Sequence, residues 1–148
     1  MTLQERLSQE IKAAMLAKDA DRLSTLRMLK STMGYVQIER KTESLSDADV
    51  VALVQKEIKK RRDSIEQFEK GGRAELAAKE QQEIPVLETF LPKALSPEEL
   101  EALVRATIQE LGATSKKDMG PVIKAVQAKA AGSADGKSVS SLVGKLLP

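Results

Sequence analysis

The middle of the chain reads VALVQKEIKKRRDSIEQFEKGGRAELAAKEQQEIPVLETF from Val51 to Phe90. Apolar residues recur every three or four positions on both sides of Gly71-Gly72, as they do along one face of an α-helix. A glycine pair at the end of such a pattern is typical of a helix stop. The segment therefore predicts two antiparallel helices joined at the glycine pair, which together form a helical hairpin.

Both arms of this hairpin have predicted limits. The first arm is expected over 46–70, because Ser46 and Asp49 have the spacing of a helix-capping pair. The second arm is expected over 73–91. We expect a kink or break just before Pro85, since proline has no amide hydrogen to donate and restricts the residue before it.

A charged residue falls inside the apolar stripe of the first arm. On a helical wheel Arg61 lies in the same stripe as Ile58 and Ile65, and not at its edge. A buried guanidinium needs a carboxylate, because an unpaired buried charge costs several kcal/mol. Glu83 of the second arm lies at nearly the same distance from the glycine pair as Arg61 does. The hairpin therefore predicts a buried ion pair between Arg61 and Glu83.

Two roles are open for this pair. It can be a structural contact that fixes the register of the hairpin, or it can hold a catalytic carboxylate tuned by Arg61. An arginine partner stabilises the ionised form of a carboxylate and makes it a weaker base, which favours the structural role. The run 59–62, KKRR, has the composition of a nucleic-acid-binding patch, but Arg61 faces the stripe while both lysines point towards solvent.

The flanking sequence continues the helical pattern in both directions. Two helices are predicted before the hairpin, over about 2–18 and 21–40. The second of them is apolar on two sides, with Met28 and Tyr35 opposite its main stripe, so we expect it to be buried between neighbours.

Three more helices are predicted after the hairpin. They begin near Ser96, between Ser115 and Pro121, and at Asp135. No segment alternates as strands do, so the predicted fold class is all-α with seven helices. A linker around Pro92 divides it into an N-terminal helical bundle or hairpin domain, residues 1–92, and a small C-terminal three-helix domain, residues 93–148.

Composition excludes several kinds of site. The chain has no Cys and no His, which excludes thiol nucleophiles, Ser-His pairs, disulfides and zinc fingers. We therefore predict no catalytic residue, no metal and no cofactor. No apolar run approaches the ~20 residues that a bilayer requires. The polar N-terminus also differs from a signal peptide, so we expect a cytoplasmic protein without membrane contact.

Charge is unevenly distributed along the chain. Residues 1–92 carry 16 basic and 16 acidic groups, whereas residues 116–148 carry six Lys against two Asp. Lys117 and Lys124 are seven residues apart and are expected to share the outer face of the sixth helix. Lys116 and Lys137 lie at predicted turn or helix-start positions. These four lysines are candidate RNA contacts, although such a tail can equally be an ordinary solvated surface.

Several segments resemble the YqeY-like family, in order and over nearly the whole chain. They are Leu26-Arg27-Met28-Leu29-Lys30, Arg62-Asp63-Ser64, Val86–Pro92, Ser115–Gly120 and Ala134-Asp135-Gly136-Lys137. Residues 93–148 also resemble the tail domain of the B subunit of bacterial aspartyl/glutamyl-tRNA amidotransferase. Pro121 departs from the family pattern, so we expect the first turn of the sixth helix to differ.

The resemblance implies a helical tail that can contact tRNA. It also implies an association with carbon–nitrogen ligase activity that uses glutamine as amido-N-donor, although nothing in 1–92 resembles the catalytic part of that subunit. Three functions stay open: a non-catalytic module that binds tRNA or an aminoacyl-tRNA-handling complex through its tail, an accessory subunit of an amidotransferase, and a structural adaptor for protein contacts. The oligomeric state stays open too.

Overall fold

The computed structural model describes residues 1–148, and all of its regular elements are helical. A 3-10 turn (Lys116–Asp118) precedes the sixth of seven α-helices. These are α1 (Leu3–Leu16), α2 (Ala20–Arg40), α3 (Asp47–Lys70), α4 (Ala74–Glu88), α5 (Pro97–Leu111), α6 (Met119–Ala130) and α7 (Gly136–Leu146). The predicted all-α class is confirmed.

The chain forms two compact units, Met1–Leu91 and Pro92–Pro148. Unit 1 contains α1 to α4, and unit 2 contains the 3-10 turn and α5 to α7. Each unit has an apolar core of its own.

The hairpin of α3 and α4 organises the core of unit 1. α3 ends at Lys70 with Gly71 as its C-cap, and Gly72 follows with φ +73°, a left-handed conformation that glycine adopts at little cost. The helix stop predicted at this pair is confirmed. The largest fully buried side chains of unit 1 come from α2, from α4 and from the turn after α4: Leu26, Leu29, Leu87 and Phe90.

Pro85 does not break α4. A kink or break was predicted just before Pro85; the helix continues through it and ends at Glu88, so there is no break, and the kink stays a prediction. Pro85 is exposed and lies in the last turn, where the helix loses one internal hydrogen bond just before it ends.

The expectation that α2 is buried on two sides was also wrong. Leu26, Leu29 and Met33 face the core. On the other side Met28 is 49% exposed and Tyr35 is 75% exposed. The sequence pattern located both apolar sides correctly, but only one of them has a partner within the chain.

The first turn of α1 is held by groups far away in sequence. The Leu3 amide donates to Oδ1 of Asp47 at 2.9 Å, and the Leu45 amide donates to Oε1 of Gln4 at 2.8 Å. The guanidinium of Arg6 lies 4.9 Å from the ring centre of Phe90, within the range of a cation–π contact. Unit 1 is therefore closed by contacts between its two ends.

Unit 2 has a core of branched aliphatic side chains. Five fully buried valines from its three helices, each with 0% exposure, form the centre of this core: Val104, Val122, Val126, Val139 and Val143. The buried hydroxyl of Thr107 donates to the carbonyl oxygen of Leu103 at 2.7 Å. None of the helices in either unit combines the length and apolar character that a membrane span requires.

Candidate nucleic-acid interface

The four candidate lysines all lie on the surface of unit 2. Lys116 and Lys117 are in the 3-10 turn, Lys124 is in the middle of α6, and Lys137 is in the first turn of α7. All four are exposed, and none of them forms an ion pair within the chain. Their ammonium groups are therefore available to an anion from outside.

Only Lys124 of the expected pair belongs to α6. The helix begins at Met119, so Lys117 lies before it, in the 3-10 turn. That turn has about three residues per turn of helix, whereas an α-helix has about 3.6. The prediction that both lysines share one face of a continuous helix was wrong in this respect. Pro121 is the third residue of α6, where backbone amides have no partner within the helix, so the missing hydrogen costs no bond.

The Asp118 carboxylate fixes the turn that carries Lys116 and Lys117. Its Oδ2 accepts from the amide of Thr114 at 2.9 Å and from the amide of Ser115 at 3.3 Å. Because this carboxylate is bound to backbone groups, it forms no ion pair with the adjacent lysines. The turn thus holds two unpaired cations in fixed backbone positions.

A second capping group positions Lys137. Oδ1 of Asp135 accepts from the amide of Ser138 at 2.6 Å and starts α7. Gly136 lies between Asp135 and Lys137, and a Cβ atom added there would lie 3.2 Å from Nε2 of Gln127 in α6. Glycine therefore lets the start of α7 approach α6 closely, with Lys137 exposed beside the contact.

Lys129 differs from the other lysines of the tail. Its ammonium group contacts the Glu110 carboxylate and lies 3.4 Å from the hydroxyl of Thr107, so it links α6 to α5. The charge of Lys129 is offset by Glu110, which lies outside residues 116–148. The count of six Lys against two Asp in 116–148 therefore overstates the positive charge that is available to a ligand. Lys145, in the last turn of α7, is exposed and adds a cation that the sequence analysis did not single out.

The Arg61 site lies in unit 1 and is largely enclosed. Arg61 is 5% exposed, and its Nε donates to Oε2 of Glu83 at 2.8 Å across the hairpin. Its Nη1 donates to Oε2 of Glu57 at 3.0 Å. Burial lowers the pKa of Arg61, but the hydrogen bonds to both carboxylates outweigh it, so the pKa is raised above its usual value.

Sequence reasoning missed Glu57 in this site. It lies one helical turn before Arg61, at the spacing of an intrahelical ion pair, and that spacing was the available signal. Lys60 also contacts Glu57, with 3.6 Å between Nζ and Oε1. Both carboxylates therefore have cationic partners, an arrangement suited to holding two helices together.

The fold defines the class of this protein as a small all-α protein of two helical units. A family model described as Yqey-like protein matches residues 4–147. The chain belongs to the YqeY-like family.

Curated relatives include proteins named Altered inheritance of mitochondria protein 41, mitochondrial. The one from Kluyveromyces lactis is 39% identical over 108 residues, which cover 71% of this chain and 58% of the relative. The one from Eremothecium gossypii is 37% identical over 111 residues, which cover 73% of this chain and 60% of the relative. The match thus spans less than two thirds of either relative. An uncharacterized protein of Schizosaccharomyces pombe is 36% identical over 94 residues, which cover 64% of this chain and 76% of the relative.

The names of two of these relatives place those proteins in mitochondria, whereas the sequence analysis predicts the cytoplasm. The family assignment agrees with the resemblance found from the sequence motifs. The names of these relatives mention no RNA and no reaction.

Proposed function

We propose that this chain is a non-catalytic helical module that binds tRNA, or a complex that handles tRNA, through unit 2. The contacts are made by Lys116, Lys117, Lys124 and Lys137 with backbone phosphates. The resemblance to an amidotransferase tail domain supports tRNA as the nucleic acid.

One observation carries this proposal: the four candidate lysines of unit 2 form no ion pair within the chain, whereas most of the acids of unit 2 have a partner. Asp118 and Asp135 accept hydrogen bonds from backbone amides at helix starts. Glu110 is paired with Lys129, and Glu101 accepts from Arg105 at 2.8 Å. The four lysines therefore have no partner within the chain that competes with an approaching phosphate.

The same residues define what kind of recognition is available. Unit 2 contains no aromatic residue, which excludes stacking on bases. Its one arginine, Arg105, is paired with Glu101, so bidentate reading of a guanine edge is not available without breaking that pair. The contact would follow the shape of the phosphate backbone with little dependence on sequence.

Binding of tRNA measured against salt concentration tests the proposal. With three or four phosphates neutralised, the slope of log affinity against log salt should be about −2 to −4. Lys117→Glu combined with Lys124→Glu should abolish binding at moderate salt. Lys56→Glu combined with Lys59→Glu is the matched control, because it makes the same charge change on the exposed side of α3.

Equal loss of binding in both double variants would show that net charge alone was measured and would overturn the assignment to unit 2. Unchanged affinity in the Lys117/Lys124 variant would do the same. Circular dichroism checks that both variants keep the helical content of the parent chain.

The compartment is a separate part of the proposal. We keep the predicted cytoplasmic location, and cell fractionation against a mitochondrial matrix marker tests it. Recovery with the matrix marker would place the chain with the relatives that are named as mitochondrial.

A further inference from the structure

Most of the large apolar side chains that are exposed on this chain lie in one region. Five of the seven that are exposed lie at the end of α1 or on the outer side of α2. They are Met15, Leu16, Met28, Tyr35 and Ile38. Scattered apolar side chains are normal on a protein surface, but a contiguous set marks a contact site.

The outer side of α2 has the spacing of a helix-binding seam. Ser24, Met28, Ser31, Tyr35 and Ile38 follow one another at intervals of four and three residues, and we call these five residues the outer α2 face. Alternating steps of three and four place residues along one line of a helix, as in the seam of a coiled coil. The face therefore presents a straight line along most of α2, in which two serines accompany three large apolar side chains.

Small residues give this line its shape. Ser24 and Ser31 alternate with the larger Met28 and Tyr35, and a shallow groove of about 590 Å³ runs past both serines. Holes between larger side chains are what the knobs of a packing helix enter. The geometry thus fits an α-helix better than a flat surface or a compact small molecule.

The charges beside the groove are all positive on one flank. Arg27 lines the groove, and Lys30 follows one turn later next to the same flank. Both are exposed, and neither forms an ion pair within the chain. A helix lying in the groove would gain by placing carboxylates against Arg27.

A second copy of the chain does not supply those carboxylates. In an antiparallel pair of α2 helices, corresponding flanks face each other, so Arg27 would approach the basic flank of the copy. In a parallel pair, the residue opposite Arg27 is Thr32 of the copy. When the two faces overlap along their whole length, neither orientation places an acidic residue opposite Arg27.

We propose that the outer α2 face binds an amphipathic α-helix of a partner protein, one with an apolar seam and acidic residues beside it. Apolar side chains of the partner enter the holes at Ser24 and Ser31, and its acidic flank pairs with Arg27. This contact uses unit 1 and is independent of RNA binding by unit 2.

Tyr35 provides a built-in reporter, since it is the single tyrosine and the chain has no tryptophan. The probes are two three-heptad peptides with leucine in the seam, one with glutamate and one with lysine at the flanking positions. The measurement is acrylamide quenching of Tyr35 fluorescence in the full chain as peptide is added. The glutamate peptide should protect Tyr35 and bind about five-fold more tightly than the lysine peptide.

Two variants keep the test specific. Arg27→Glu should reverse the preference between the peptides, whereas Lys12→Glu, an exposed lysine of α1 without an ion pair, should leave it unchanged. Ser31→Arg should fill the groove and remove protection by either peptide. Both α2 changes are at exposed positions, so the fold should be retained.

Three outcomes would overturn the proposal. They are no protection by either peptide, equal protection by both, and protection that appears on concentrating the chain without peptide. The last outcome would assign the face to a second copy, and sedimentation at the same concentrations identifies it.

Discussion

The two units solve the same packing problem with different chemistry. Unit 1 buries Arg61 to 5% exposure and holds it with Glu57 and Glu83. Unit 2 buries no charged side chain, and its one buried polar residue is Thr107. A buried charge limits a helix pair to arrangements in which the charge finds its partner, whereas aliphatic side chains tolerate several.

This difference follows the lengths of the helices. α3 has 24 residues and packs along α4, so a slide by one turn would still match apolar residues with apolar residues. Such a slide would leave Arg61 away from Glu83, which is costly. The helices of unit 2 have 11 to 15 residues, and side-chain caps from Ser96 and Asp135 start α5 and α7.

The largest effect should come from removing the interhelical acid. Glu83→Ala leaves the buried guanidinium with Glu57 alone, and we expect a loss of about 3 kcal/mol in unfolding free energy. Amide hydrogen exchange of the full chain should show faster exchange throughout residues 1–91 and little change in 92–148.

A matched pair of substitutions separates the charge from the packing. Arg61→Met with Glu83→Leu replaces both partners by apolar groups and leaves Glu57 with Lys60. We expect it to lose about 1 kcal/mol or less. If it were as destabilising as Glu83→Ala, the contribution of Glu83 would be packing and not its charge.

Unit 2 should respond mainly to loss of aliphatic volume. Val126 has 0% exposure at the centre of that core, so Val126→Ala should cost about 2 kcal/mol through lost burial and the remaining cavity. The faster exchange should be confined to 92–148. Equal acceleration in both units would mean that they unfold together and would remove the contrast between them.

A smaller effect of opposite sign is expected at the helix ends. Ala131 and Lys41 end their helices with positive φ, at +48° and +55°, where a side chain is unfavourable. Ala131→Gly in unit 2 and Lys41→Gly in unit 1 should each stabilise by ~0.5–1 kcal/mol, because glycine adopts this conformation freely. Thermal unfolding of each variant checks the sign.

The smallest effect is the pH dependence of stability that comes from an ion pair at the surface of unit 1, in contrast to the buried charge of Arg61. The hydrogen bonds of Arg40 and Ser46 hold the pKa of Asp49 below its usual value. The ionised form therefore stabilises the folded state above pH ~4, and this contribution is lost as the pH falls through the lowered pKa. Asp49→Asn should be less stable than the parent near pH 6, and the difference should disappear towards pH 2. A difference that persists there would not be electrostatic.

The sequence predicted the helices well because their starts and stops are local. Ser46 and Ser96 accept from the amide three residues on, as the capping patterns indicate. The end of α3 followed from the glycine pair for the same reason. These signals need no information about the partner of a helix.

The errors arose where the outcome depends on neighbours in space. Nothing in the sequence of α2 says whether its second apolar side is covered, and the structure leaves Tyr35 exposed. The 3-10 turn at Lys117 depends on the Asp118 carboxylate bonding back to Thr114, a contact that a continuous helical wheel does not represent. The RNA role of the lysines stays a prediction, because exposure alone does not identify a ligand.

The contacts between the two ends of unit 1 also set the order of events during synthesis. Arg6 leaves the ribosome before its partner Phe90, which is made 84 positions later. At about 5–20 residues per second, α1 waits several seconds or more before its final contacts exist. During that interval its apolar residues Leu7 and Ala14 lack their complete set of neighbours and stay accessible to solvent.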